Sequence, residues 1–168
     1  MSCLQTLNGI AKDCSPNKGG VKRVYAGNFD DFEVTVDKEN GKATISASGN
    51  KLKKYEFPRG LASMTSNATI DQSTGARYFT TDVALFFNRM EATKRMEIMA
   101  LFVADTLVVV EDENGTLWLP DYENPMVCSA SENGTGTAVG DANRYGITLQ
   151  VMSDALPYEV ESIEGLVE

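Results

Sequence analysis

The chain has 168 residues, 42% hydrophobic and 23% charged, which is enough for one domain with a core of its own. Its 15 Lys and Arg against 24 Asp and Glu leave a net charge of −9, which disfavours attraction to nucleic-acid phosphates or to an anionic membrane surface. The count of zero histidines removes Ser-His and Cys-His pairs, imidazole acid–base work and most catalytic zinc sites together.

The first 20 residues read as an irregular arm, with Asn8-Gly9, Ser15-Pro16-Asn17 and Gly19-Gly20 and no sustained apolar period. The arm still carries Leu4, Leu7 and Ile10. The segment beginning Met1-Ser2-Cys3 has neither the basic start nor the apolar core of a secretion signal, and no run of about 18 apolar residues occurs, so no membrane anchor is expected. Val21–Ala26 is a strand, followed by a turn at Gly27-Asn28. Phe32–Val36 and Lys42–Ala47 flank Asn40-Gly41, a strong hairpin signal because both residues tolerate positive φ. Lys51–Phe57 forms a further strand, closed by Pro58 and Gly60.

The longest signal follows. In Leu61–Asp71, Ala62, Met64, Ser66, Ala68 and Ile70 alternate with Ser63, Thr65, Asn67 and Thr69. In Ala76–Phe87, Phe79, Thr81, Val83, Leu85 and Phe87 alternate with Tyr78, Thr80, Asp82, Ala84 and Phe86. Period-two alternation marks strands with one buried and one wet face. The link Gln72-Ser73-Thr74-Gly75 supplies a hairpin loop, so the arms have 11 and 12 residues. At about 3.4 Å per residue each spans about 40 Å. Small uncharged polar side chains on one face of so long a hairpin suit the wall of a water-filled space. Ser63, Thr65, Asn67, Thr69, Tyr78, Thr80 and Asp82 are therefore the expected channel-lining residues.

One helix is expected over Ala92–Asp105, where Ala92, Met96, Met99, Ala100 and Val103 recur at helical spacing, largely opposite Lys94, Arg95 and Glu97. The apolar stripe, through Met96, Met99, Ala100 and Val103, is expected to pack on Phe79, Val83, Leu85 and Phe87 of the hairpin. Thr106–Glu111 and Thr116–Leu119 form a second hairpin across Asn114-Gly115, ended by Pro120. Met126–Ala130 is a short strand, Ser131–Asn143 a Gly- and Thr-rich loop, Tyr145–Met152 a clear strand and Tyr158–Val160 a short one. The segment Glu159–Glu168 carries four glutamates and reads as mobile, although Ile163, Leu166 and Val167 lie in it. The expected organisation is an arm over 1–20, a β domain over 21–153 and an acidic tail over 154–168. Strands dominate, so the fold class is mainly β: an antiparallel sandwich or barrel with one flanking α-helix and a long hairpin.

Motifs that would carry catalysis are weak. Gly134-Thr135-Gly136-Thr137-Ala138-Val139-Gly140 superficially matches a dinucleotide fingerprint, but its third glycine falls one place late and a strand rather than a helix follows. Glu111-Asp112-Glu113 sits at a hairpin turn and lacks the glycine of a calcium loop, so it reads as solvated charge. Cys3, Cys14 and Cys128 fit neither a disulfide framework nor a zinc spacing, and no metal or other cofactor is expected. Trp118 reads as core or interface packing. Asp82 stands mid-strand, where Asp is disfavoured, either as an ordinary exposed residue or as negative charge on the wet face.

The ordered set of motifs resembles the tailed-phage tail tube family over roughly residues 19–152. It runs from Gly19-Gly20-Val21-Lys22-Arg23-Val24-Tyr25 through Ala76-Arg77-Tyr78-Phe79-Thr80-Thr81-Asp82-Val83 to the helix Ala92–Asp105. Next comes Leu107 to Leu119 across Asn114-Gly115, then Gly134-Thr135-Gly136 and Gly140-Asp141, leading into Tyr145-Gly146-Ile147-Thr148-Leu149. Leu119-Pro120 departs from the pattern, in which the strand runs on into a glycine. The resemblance implies a non-enzymatic subunit that forms hexameric rings stacked into a tube, with the genome passing transiently through the channel. It implies as partners other copies of the chain and tail proteins such as tape measure, terminator and baseplate. It also implies a place in the virion tail, after assembly in the host cytoplasm. Another ring protein of a virion tail, such as a terminator or connector, would share the fold. Two further readings stay open: a small-molecule-binding β-barrel module, and a hydrolase with paired carboxylates.

Overall fold

The computed structural model describes residues 5–168, so Cys3 and Leu4 lie outside the described residues. Residues 5–20 have no regular secondary structure and are exposed throughout. The base of this arm is tied to the body: Lys18 N–H donates to Asn114 Oδ1 at 2.9 Å, and Asn114 Nδ2 donates to Asn17 Oδ1 at 2.7 Å.

Eleven strands and one α-helix follow. They are β1 (Val21–Asn28), β2 (Phe32–Asp37), β3 (Lys42–Ala47), β4 (Lys53–Glu56), β5 (Ala62–Asp71), β6 (Ala76–Asn88), α1 (Ala92–Val103), β7 (Thr106–Asp112), β8 (Leu117–Leu119), β9 (Val127–Gly134), β10 (Arg144–Ser153) and β11 (Tyr158–Val160). They form a seven-stranded sheet in the order β2-β3-β11-β8-β7-β1-β4 and a four-stranded sheet in the order β5-β6-β10-β9. The fold is a mainly β sandwich flanked by one helix, as the alternation predicts.

The run Leu107–Val110 in β7 is buried at every residue, because both of its faces meet apolar partners. Val108 and Val110 point into the space between the sheets, with Val24 and Ala26 of β1 and Val83, Leu85, Ile147 and Leu149 of the smaller sheet. Leu107 and Val109 point the other way, into a second core with Tyr25, Phe32, Ile45, Leu52, Leu119, Val160 and Ile163. These residues come from β2 at one end of the sheet order and from Leu52, just before β4 at the other end, so the seven-stranded sheet is rolled around its own interior. Gly27 permits the roll: a Cβ there would lie 2.5 Å from the Phe32 ring.

The C-terminal segment corrects the expectation of a mobile tail. β11 inserts into the large sheet, parallel to β3 and antiparallel to β8. Beyond it Ile163 is buried, Leu52 N–H donates to the Leu166 carbonyl at 2.6 Å, and Lys53 pairs with Glu168. Its apolar residues enter the rolled core while Glu161 and Glu164 stay exposed. The expected loop from Ser131 also starts later, because β9 continues to Gly134 by pairing with β10.

Asp112 fixes the turn between β7 and β8. Its carboxylate accepts from the Asn114 and Thr116 N–H groups, each at 2.9 Å, and from Trp118 Nε1 at 3.0 Å. Trp118 is thus half-buried and held through its N–H, rather than a full core residue.

Candidate functional site

The four-stranded sheet presents one face to the core and the other to solvent. Cross-strand register sets Thr65 opposite Asp82, Asn67 opposite Thr80 and Thr69 opposite Tyr78, with Ser63 opposite Ala84. All seven residues expected to line a channel therefore share one face: Ser63, Thr65, Asn67 and Thr69 are exposed, and Tyr78, Thr80 and Asp82 are half-exposed. Alternation places all seven together because the hairpin keeps its register without a bulge.

β10 and β9 extend this face with residues that the hairpin pattern alone does not reveal. Thr148, Gln150 and Met152 lie opposite Ala84, Asp82 and Thr80. Their signal was the alternation of Thr148, Gln150 and Met152 with buried Ile147, Leu149 and Val151. Gln150 Nε2 donates to Asp82 Oδ1 at 2.9 Å, so the mid-strand carboxylate is engaged across the sheet while staying partly open to water. Arg144 stacks its guanidinium 4.1 Å from the centre of the Phe86 ring. That ring lies over Gly146, where a Cβ would come within 2.7 Å of it and 2.9 Å of the Glu132 carbonyl. Arg144 is the one cationic side chain on this face of the four strands, beside the acidic Asp82 and Glu132.

On the opposite, core-facing side the hydroxyls are satisfied within the sheet. Thr81 is fully buried and donates to Ser66 Oγ at 3.0 Å. Val83 and Leu85 are buried as expected, and Phe79 and Phe87 are half-buried.

Among the described residues, β5 pairs only with β6, and β9 only with β10. Both edges of the sheet therefore lack a strand neighbour. Phe86 N–H donates to the Leu61 carbonyl at 3.0 Å. Alternation then turns the backbone groups of Ser63, Thr65, Asn67 and Thr69 toward β6, and those of Met64, Ser66, Ala68 and Ile70 outward. β5 has ten residues and carries neither Lys nor Pro, so it lacks two of the usual protections of a solvent-facing edge.

The helix is where expectation and structure part. Val83 and Leu85 share their buried core with Ile98 and Leu101 of α1, not with the predicted stripe. Met96, Met99, Ala100 and Val103 point outward, with Met96 65%, Met99 48% and Val103 74% exposed. The packing expected between these four residues and the hairpin is therefore inverted. α1 has two apolar sides, and sequence period alone picked the more regular one. Its orientation is set at the junction with β6. There Arg89 adopts φ 66°, Arg89 N–H donates to the Asn143 carbonyl at 2.7 Å, and Lys94 Nζ donates to the Asn88 carbonyl at 2.8 Å. On its flank Tyr55 donates to Glu97 Oε2 at 3.1 Å; burial first, then the Glu97 carboxylate, hold the phenol well above its ordinary value of 10.0.

No group of His, Cys, Asp and Glu among the described residues has the geometry of a metal site. No protein-family model and no curated protein matches the chain. Among solved structures the chain is similar to one described as "Virion of native gene transfer agent (GTA) particle", at 12% identity and a TM-score of 0.37, over 79% of this chain and 98% of that one.

Proposed function

We propose that the protein is a structural, non-enzymatic subunit of a phage-like tail tube. It assembles through its four-stranded sheet into rings that stack around a central channel for the genome. The observation that supports this reading is the sheet itself: a broad, hydroxyl-rich wet face bounded by two edges without a strand partner. Joining β5 of one copy to β9 of the next would satisfy both edges and close the sheet on itself. Six copies would supply about 24 strands, more than the 16–18 that already leave an aqueous channel in single-chain barrels. Ser63, Thr65, Asn67, Thr69, Tyr78, Thr80 and Asp82 would then line the lumen. With a single Arg and three carboxylates (Asp71, Asp82 and Glu132) per copy on this face, passing phosphates would meet no cluster of cations to hold them. The partners are other copies of the chain and neighbouring tail components, such as tape measure, terminator and baseplate proteins. The place of action is the virion tail.

Negative-stain microscopy and size-exclusion chromatography test the reading with Ala68→Pro. Ala68 is exposed and its N–H faces away from β6, so proline there removes an outward donor without breaking the β5–β6 ladder. The wild type is expected to form rings or tubes, and Ala68→Pro to remain a folded monomer. A wild type that stays monomeric at high concentration, or a variant that builds normal tubes, contradicts the proposal.

A further inference from the structure

Two surfaces with exposed apolar side chains on the core side of the four-stranded sheet have no cover among the described residues. One is the outward stripe of α1, carrying Met96, Met99 and Val103. A helix that is apolar on both sides is ordinarily buried on both sides. The other belongs to the long hairpin. β10 accompanies β6 only as far as the pair Ser153–Phe79, while β5 and β6 continue to Asp71–Ala76. On the core-facing side of this overhang Ala68 is exposed and Ile70 is 61% exposed, next to the exposed Arg77 opposite it, although Ala62, on the same face, is buried against the body.

The positions of the two surfaces are complementary. α1 lies against β9 and β10, at one edge of the sheet, and the overhang extends from β5 and β6, at the other. Both occupy the same layer, behind the sheet as seen from its wet face. Edge-to-edge addition of copies brings the β5 edge of one against the β9 edge of another, and with it the overhang of one toward the helix of the other. A contact between unlike patches at opposite edges is heterologous, the type that builds rings.

We infer that the outward stripe of α1 is covered in the assembly by the core-side face of the β5–β6 overhang of a second copy, with Ile70 seated against Met99 and Val103. This inference rests on the ring-forming reading above. It adds a side-chain contact to the backbone pairing of the edges, and it accounts for a helix whose more regular apolar face turns away from its own core.

Thiol cross-linking tests it, with Cys3, Cys14 and Cys128 changed to Ser and Ile70→Cys combined with Val103→Cys. A short bismaleimide added to assembled protein is expected to give a ladder of covalent oligomers that neither single variant gives. Met99→Glu with Val103→Glu should leave monomer melting unchanged, because both side chains are exposed, yet raise the concentration needed for assembly about tenfold or more. Rings that form normally in the Glu variant, or that give no ladder in the Cys variant, overturn the inference while leaving the ring reading intact. Cross-linking of Val103→Cys to Ile10→Cys in place of Ile70→Cys would show that the N-terminal arm covers the stripe and would likewise overturn it. Failure of the wild type to assemble at all removes the ring reading instead.

Discussion

The two sheets solve the same problem differently. The seven-stranded sheet rolls around Tyr25, Leu52, Val109, Leu119 and Ile163, and its interior strand β7 is buried on both sides, so both of its faces there are covered within one chain. The four-stranded sheet covers only one face and, among the described residues, leaves the outer edges of β5 and β9 without a strand partner. Both layers contribute buried residues to the core, but only the smaller sheet turns a broad hydroxyl-rich face to solvent. Substitutions in the core should therefore act on folding, and substitutions on the open side of the smaller sheet on assembly alone.

Val109→Asp should have the largest effect. It places a carboxylate without a partner in the rolled core, at a residue with 0% exposure. A loss of about 4 kcal/mol or more is expected, read as disappearance of the cooperative urea transition. A wild-type midpoint would contradict the double-sided burial of β7. Leu85→Ala, on the covered face of the smaller sheet, should cost about 2–5 kcal/mol by the same measurement. If it costs nothing, the two sheets do not share a core.

On the wet face the contrast sharpens. Thr65→Ala combined with Thr80→Ala should change unfolding free energy by no more than about 0.5 kcal/mol per site, because neither side chain packs in the body. A large loss would show that this face is covered within the subunit.

The smallest effect lies at the hairpin tip. The Ser73 hydroxyl, at 2.7 Å, and then its N–H, at 3.0 Å, hold the Asp71 carboxyl below the ordinary value of 3.8. A lowered folded value means the contribution is present above 3.8 and fades as pH falls through the lowered value. The Ser73 amide resonance should shift with a midpoint below 3.8. A midpoint above it would place the bonds elsewhere.

Much of the fold was legible in local pattern. The hairpins at Asn40-Gly41 and Asn114-Gly115 and the long arms around Gln72–Gly75 follow from turn chemistry and alternation, and the seven wet-face residues follow with them. Less legible were features decided by what packs against what. Period identified α1 but could not choose between Ile98 with Leu101 and Met96 with Val103 as the side meeting the body. β9, read as ending at Ala130, holds the low-propensity Ser131–Gly134 as strand only because β10 templates it. The glutamates of the C-terminal segment outweighed Ile163 and Val167 in a reading by composition, whereas the rolled core selected the apolar residues.

The strand count of the smaller sheet has a further consequence. Its four strands alternate in direction, so β5 and β9, at its two rims, run opposite ways. A copy added rim to rim therefore continues the up-and-down pattern without a parallel seam, and the junction between molecules is built by the same rule as the pairing inside each one. Such a junction holds no count of how many copies preceded it. The circumference of a closed array would be written in the twist and tilt of the strands rather than at the seam, so a change in curvature within one subunit could alter the number of copies while every joint stayed the same.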